Sequence, residues 1–174
     1  MGLPQKLKNG ILTIDGYGYA GECNNFTPPK LTRKMEEHQG GGMLGPVSID
    51  LGMEAMEASF TAKGFATTML KHFARSTVGA MLIRYNAAFQ RDDTGETGSI
   101  EIIVRGRIKE LDLGDLTVGE LNESKYTIPC SYLKIVVNGK TAVEIDLVNM
   151  LHIIDGIDLL ADIRQALGMV GLSV

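Results

Sequence analysis

The chain has 174 residues, enough for one compact domain with a real core and too few for two. Its composition is that of a globular protein, 44% hydrophobic and 22% charged, with no Trp and nine Met. A formal charge of −4, with no long Lys/Arg run, argues against tight binding to a phosphate backbone. No stretch approaches the ~20 apolar residues of a membrane span, and the first residues, MGLPQKLKNG, hold no apolar signal segment. The two cysteines, Cys23 and Cys130, stand far apart without metal-ligand spacing and read as reduced thiols in or near the core.

Taken in chain order, 11–20 reads as short strand pieces around Asp15-Gly16, followed by a loop, GECNNFTPPK, rich in turn formers. An extended excursion occupies about 31–46, interrupted by Gly40-Gly41-Gly42 and Met43. Val47, Ile49 and Leu51 then alternate with polar residues. Beyond Gly52 the phase flips: Met56, Ala58, Phe60 and Ala62 share one face, with Glu57, Ser59, Thr61 and Lys63 on the other. Phe65, Met69, Leu70 and Phe73 have helical spacing.

Two long strands come next, joined by the polar turn RDDTGETG. The first carries Met81, Ile83, Tyr85, Ala87 and Phe89 on one face. The second sets Ile100, Ile102, Val104 and Ile108 against Glu101, Arg105, Arg107 and Lys109. Residues 111–123 have loop composition. The segment 126–148 is the clearest local signal. Asn138-Gly139 suits a type I′ turn, which requires positive φ at both central residues. The simple register sets Val136 opposite Thr141, Lys134 opposite Val143, Tyr132 opposite Ile145 and Cys130 opposite Leu147, with that face buried. A helix at about 157–167, capped by Asp155 or Asp158, ends at Gly168. The fold class is therefore mainly β, a sandwich or open barrel of antiparallel strands with one or two short helices, in a single domain spanning 1–174.

No catalytic constellation emerges. GGGMLGP lacks the GK[ST] ending of a phosphate loop. His38, His72 and His152 are isolated from one another and from cysteine, and Asp92, Asp93 and Glu96 lack the order of a calcium loop, so a hairpin tip is the better reading. No nucleophile motif is present. These absences count against an enzyme, a cofactor and a metal site without closing the question, since catalytic residues can be spread across a fold. The mixed charges around Arg105, Arg107 and Lys109 suit a subunit contact better than a nucleic-acid stripe.

Several segments in sequence order, LPQKL, PKLTRK, PVSIDLGMEAMEASF, QRDDTGE, RGRIKELDLGD, ESKYTI and VNGKTAVEIDLVNM before a DGID segment, make the chain similar nearly end to end to the major tail tube proteins of contractile-tailed phages and R-type pyocins. The resemblance is weakest over 63–79 and at the final GMVGLSV. It implies a non-enzymatic protomer that forms six-membered rings, which stack into a tube inside a contractile sheath. Four strands from each of six chains would make a barrel of about 24, wider than the 16 to 18 that already leave an aqueous channel. The implied partners are other copies, a sheath protein, and baseplate, initiator and terminator proteins; DNA would pass without specific binding. The implied location is the virion tail or a pyocin-like particle, with synthesis in the bacterial cytoplasm. The excursion with Gly40, Gly41, Gly42 and Met43 becomes the expected contact between protomers and rings. Either the Glu57, Ser59, Thr61 face or the Glu101, Arg105, Arg107 face is expected to line the lumen or an interface. Alternatives are the tube of a related injection or secretion system and a monomeric β-barrel ligand-binding module.

Overall fold

A computed structural model of the chain describes residues 3–64 and 67–169. Strand β1 (Lys6–Ile14) turns at Asp15-Gly16 into β2 (Tyr17–Gly18). The segment expected to be a loop contains β3 (Cys23–Thr27), because Phe26 finds a buried place opposite Phe60 of a later strand. A hairpin of β4 (Arg33–His38) and β5 (Val47–Met53) follows and forms a sheet of its own. Next come β6 (Met56–Lys63), helix α1 (Thr67–Phe73), β7 (Met81–Gln90), β8 (Thr97–Gly106) and β9 (Glu110–Asp112). The chain ends with β10 (Glu123–Val137), β11 (Lys140–Asp146), β12 (Leu151–Ile154), β13 (Ile157–Asp158) and α2 (Ala161–Ala166).

Apart from the β4/β5 pair, the strands make one antiparallel sheet in the order β13-β12-β11-β10-β8-β7-β1-β2, with β3, β6 and β9 joined to it through β10. The long strand β10 is the spine. Its first half pairs with β6 and β9, and its second half with β8 and β11. Between the halves, Ser131 is skipped in the β8 register, a bulge that re-phases the side chains. Tyr126, Ile128 and Cys130 are buried before it and Leu133 after it. The sheet thereby folds over itself and closes on a core that includes Met56, Ala58, Phe60 and Ala62 from one half and Leu12, Ile14, Met81, Ile83 and Val104 from the other. Phe26 stacks on Tyr85 across the layers at 4.9 Å between centroids. Among the described residues the architecture is mainly β and antiparallel with two short helices, as the sequence led us to expect.

The hairpin turn lies at Asn138-Gly139, with φ of 49° and 78°. The register departs from the simple one. Val136 does face Thr141, but Ala142 is then skipped, so Ile135 faces Val143, Lys134 faces Glu144, Leu133 faces Ile145 and Tyr132 faces Asp146. This slip of one residue corrects the expected face. Leu133 and Ile145 enter the core, while Lys134 and Tyr132 point outward. The reason is physical: a one-residue shift exchanges the two faces of a strand, and only the shifted register buries the two branched apolar side chains.

The phase flip at Gly52 marks the passage from the β4/β5 arm to the main sheet, and Gly52 itself has a φ of 106°. Of the helical set, Met69 is buried, Leu70 and Phe73 are exposed, and Phe65 lies outside the described residues. At the C-terminus Asp155 is a turn residue with a φ of 49°, and Ile157 and Asp158 pair with β12, so the helix itself is Ala161–Ala166. Asp158 accepts from the Leu160 N–H at 3.0 Å and pairs with Arg164, holding the helix from one turn earlier.

Candidate lumen and assembly surfaces

The two outer faces of the folded sheet point away from a common core, so the two sets of candidate strand residues lie on opposite sides of the molecule. On β6, Glu57, Ser59 and Thr61 alternate with buried residues, and Ser59 and Thr61 stand beside Thr27 and Asn25 of β3 and Thr127 and Lys125 of β10. This face is rich in hydroxyls. Glu57 is held by Lys109 at 2.9 Å, and that hydrogen bond keeps the lysine charged to higher pH than usual.

The other face runs across β11, β10, β8, β7 and β1. Register sets Asp146, Tyr132, Arg105 and Leu82 in one row and Glu144, Lys134, Ile103, Arg84 and Thr13 in the next. Val136, Glu101, Asn86 and Ile11 make a third. Its charges neutralise one another: Arg84 pairs with Glu101 at 3.0 Å and Lys134 with Glu144 at 3.1 Å. The Tyr132 hydroxyl donates to Glu144 at 2.7 Å, and the Arg105 guanidinium lies 5.8 Å from the Tyr132 ring centroid. Burial and then the Glu144 carboxylate push the Tyr132 phenol far above its usual range, so it remains a donor at any working pH.

Glu101 and Arg105 therefore share one surface, and Glu57, Ser59 and Thr61 share another. Arg107 belongs to neither: it lies past the end of β8 and donates to the Ser76 carbonyl at 2.7 Å. Gly40, Gly41, Gly42 and Met43 form the tip of the β4/β5 arm, where the Met43 N–H donates to the Gly40 carbonyl at 3.2 Å. The excursion is thus largely a β-ribbon. Both of its strands are exposed almost throughout, including the apolar Met35, Val47, Ile49 and Leu51, and Leu44 near the tip has no cover. An isolated two-stranded ribbon is marginal in water. At its root Arg33 pairs with Asp50 at 2.8 Å. Period-two alternation in 47–51 signals a strand with one covered face, yet Val47, Ile49 and Leu51 are left exposed by the described residues.

Among the described residues no group of His, Cys, Asp or Glu is arranged to hold a metal ion, and no helix is long and apolar enough to cross a membrane. His72 approaches a carboxylate, Asp15, at 3.6 Å, and burial lowers its pKa first, with Arg75 adding to the effect.

A folded antiparallel sheet with two wet outer faces and an apolar arm left uncovered among the described residues has the form of a structural subunit. Residues 4–168 match the family model described as phage tail tube protein FII. The chain is 40% identical over 172 residues to the tail tube protein of Escherichia phage P2, covering 97% of this chain and 100% of the relative. It is 36% identical over 175 residues to the major tail tube protein of Serratia phage KSP20, covering 98% and 100%. The chain belongs to the phage tail tube protein FII family, and its role is structural. Solved structures with the same fold include a chain of the sheath-tube complex of the extracellular contractile injection system PVC, with a TM-score of 0.57 at 9% identity over 76% of this chain and 91% of that one. A chain of the anti-feeding prophage cap gives 0.57 at 13% identity over 78% and 93%.

Proposed function

We propose that this chain is the protomer of six-membered rings that stack into the inner tube of a contractile phage tail, enclosed by a sheath and bounded by baseplate and terminator proteins. The observation that carries this reading is the β4/β5 arm: an apolar ribbon lacking a core is stable only when other copies cover it. The open outer edge of β1, which β2 pairs only at Thr13 and Ile14, supports closure by strand pairing between copies. We assign the lumen to the face bearing Glu101 and Arg105. Its acids Glu101, Glu144 and Asp146 are matched by the bases Arg84, Arg105 and Lys134 and are largely tied up in pairs, so passing DNA is neither gripped nor repelled. The arm tip, Gly40 to Met43, makes contacts between protomers. Identities of 36–40% to phage tail tubes, against 9–13% to the injection-system chains, favour the phage tail over an injection device. The role is carried by assembly rather than by catalysis.

Negative-stain electron microscopy of the purified chain at high concentration tests this. Rings or hollow tubes with sixfold end views are expected. Deleting 40–42 should leave circular dichroism unchanged and abolish the tubes. A monodisperse monomer at all concentrations, even with a baseplate initiator added, would refute the reading.

A further inference from the structure

The loop 113–122, between β9 and β10, holds three apolar side chains out into solvent: Leu116 is 74% exposed, Val118 102% and Leu121 77%. Its stem is firmly built. Asn122 Nδ2 donates to the Leu113 carbonyl at 2.9 Å, and the Gly64 N–H donates to the Asn122 carbonyl at 2.9 Å. A Cβ at Gly114 would sit 2.4 Å from the Glu123 carbonyl oxygen, so only glycine lets the stem close. Asp115, Glu120 and Glu123 surround the apolar tip, 113–122 contains no Lys or Arg, and none of the three carboxylates joins an ion pair among the described residues. An apolar projection ringed by unpaired acids calls for a surface that is apolar and basic.

The chain carries such a surface at the root of its arm. Leu31 and Met35 are 47% and 52% exposed there, and Lys30 and Lys34 beside them are exposed and take part in no ion pair among the described residues. The two surfaces lie at opposite ends of β6. Glu123 faces Lys63 at one end; at the other, Cys130 faces Met56, two residues after Glu54, whose N–H donates to the Thr32 carbonyl. Eight residues of strand separate them by about 26 Å. One copy cannot join its own two ends, whereas successive copies can do so head to tail, a relation that propagates rather than closing a pair.

We propose that loop 113–122 of one copy docks on the arm root, 30–35, of a copy in the next ring, and that this acid-to-base contact sets the polarity of stacking. The proposal rests on the tube reading above. The test uses the full chain and sedimentation of assembled tubes. The Asp115→Lys, Glu120→Lys variant should keep wild-type circular dichroism and melting while its pelletable fraction falls at least ~10-fold, because like charges then meet across the contact. Adding Lys30→Glu and Lys34→Glu should restore the tubes. In a Cys23→Ser background, Val118→Cys with Leu31→Cys should give a disulfide-linked ladder of multimers from assembled tubes. Wild-type tubes together with unimpaired assembly of the acidic-loop variant, or with no ladder, would overturn this contact and leave the tube reading standing. A wild-type chain that never assembles would overturn both.

Discussion

Replacing Gly106 by alanine should destabilise the protomer through one contact. Gly106 ends β8 beside the bulge of β10, and its backbone is buried. An added Cβ would lie 2.3 Å from the Pro129 carbonyl oxygen and 2.7 Å from Ile128 Cγ2, far inside the ~3.5–4.0 Å of an ordinary contact. The Pro129 oxygen is main chain and cannot rotate away, and Ile128 is fully buried, so β8 and β10 must separate by about 1 Å where the sheet folds over. Overpacking of this kind costs about 3 kcal/mol, at the upper end of the usual range because the obstacle is backbone. For a chain of this size that lowers Tm by about 6–12 °C. Differential scanning fluorimetry on dilute, unassembled protein measures it, with Gly41→Ala as control, since nothing lies within 4 Å of a Cβ there. A Gly106→Ala Tm within ~2 °C of the control would refute the close approach of the two strands and the fold-over built on it.

Gly139→Val should cost about 1–3 kcal/mol, because a β-branched residue resists the φ of 78° and Asn138, which bonds Ser99 in both directions, would lose its position; urea denaturation reads this, and an unchanged midpoint would displace the turn. Burial pushes the Cys130 thiol up to about 11, so Ellman's reagent at pH 8 should label Cys130 only on unfolding, while the half-buried Cys23, also raised by burial, is labelled ahead of it; fast labelling of Cys130 in native protein would contradict its place in the core. Hydrogen bonds from Lys8 and Lys6 lower the pKa of Asp92, and those from Arg164 lower that of Asp158. Since both folded values lie below the unfolded ones, their stabilisation is complete above the ordinary carboxylate range near ~4 and is lost as pH falls through the folded values. Asp158→Asn should therefore flatten the decline of Tm between pH 5 and 2, and an equally steep decline would remove that pair from the acid response.

Sequence periodicity determined the elements whose environment is local or one-sided. Asn138-Gly139 and Asp15-Gly16 are turns because their backbone demands are met within two residues, and Met56, Ala58, Phe60 and Ala62 alternate because one layer lies on one side of β6. The order and spacing of segments along the chain also carried the family. Tertiary structure alone decided the rest. The skipped Ser131 and Ala142 leave no composition signal, yet they exchange which face of the hairpin is buried, because a bulge is set by how two layers must cross. Strand β3 hid among turn residues, since its pairing with β6 supplies what propensity lacks. The exposure of Val47, Ile49 and Leu51, and of Leu116, Val118 and Leu121, was equally illegible, because apolar alternation is the same whether or not the chain's own fold covers the side chains.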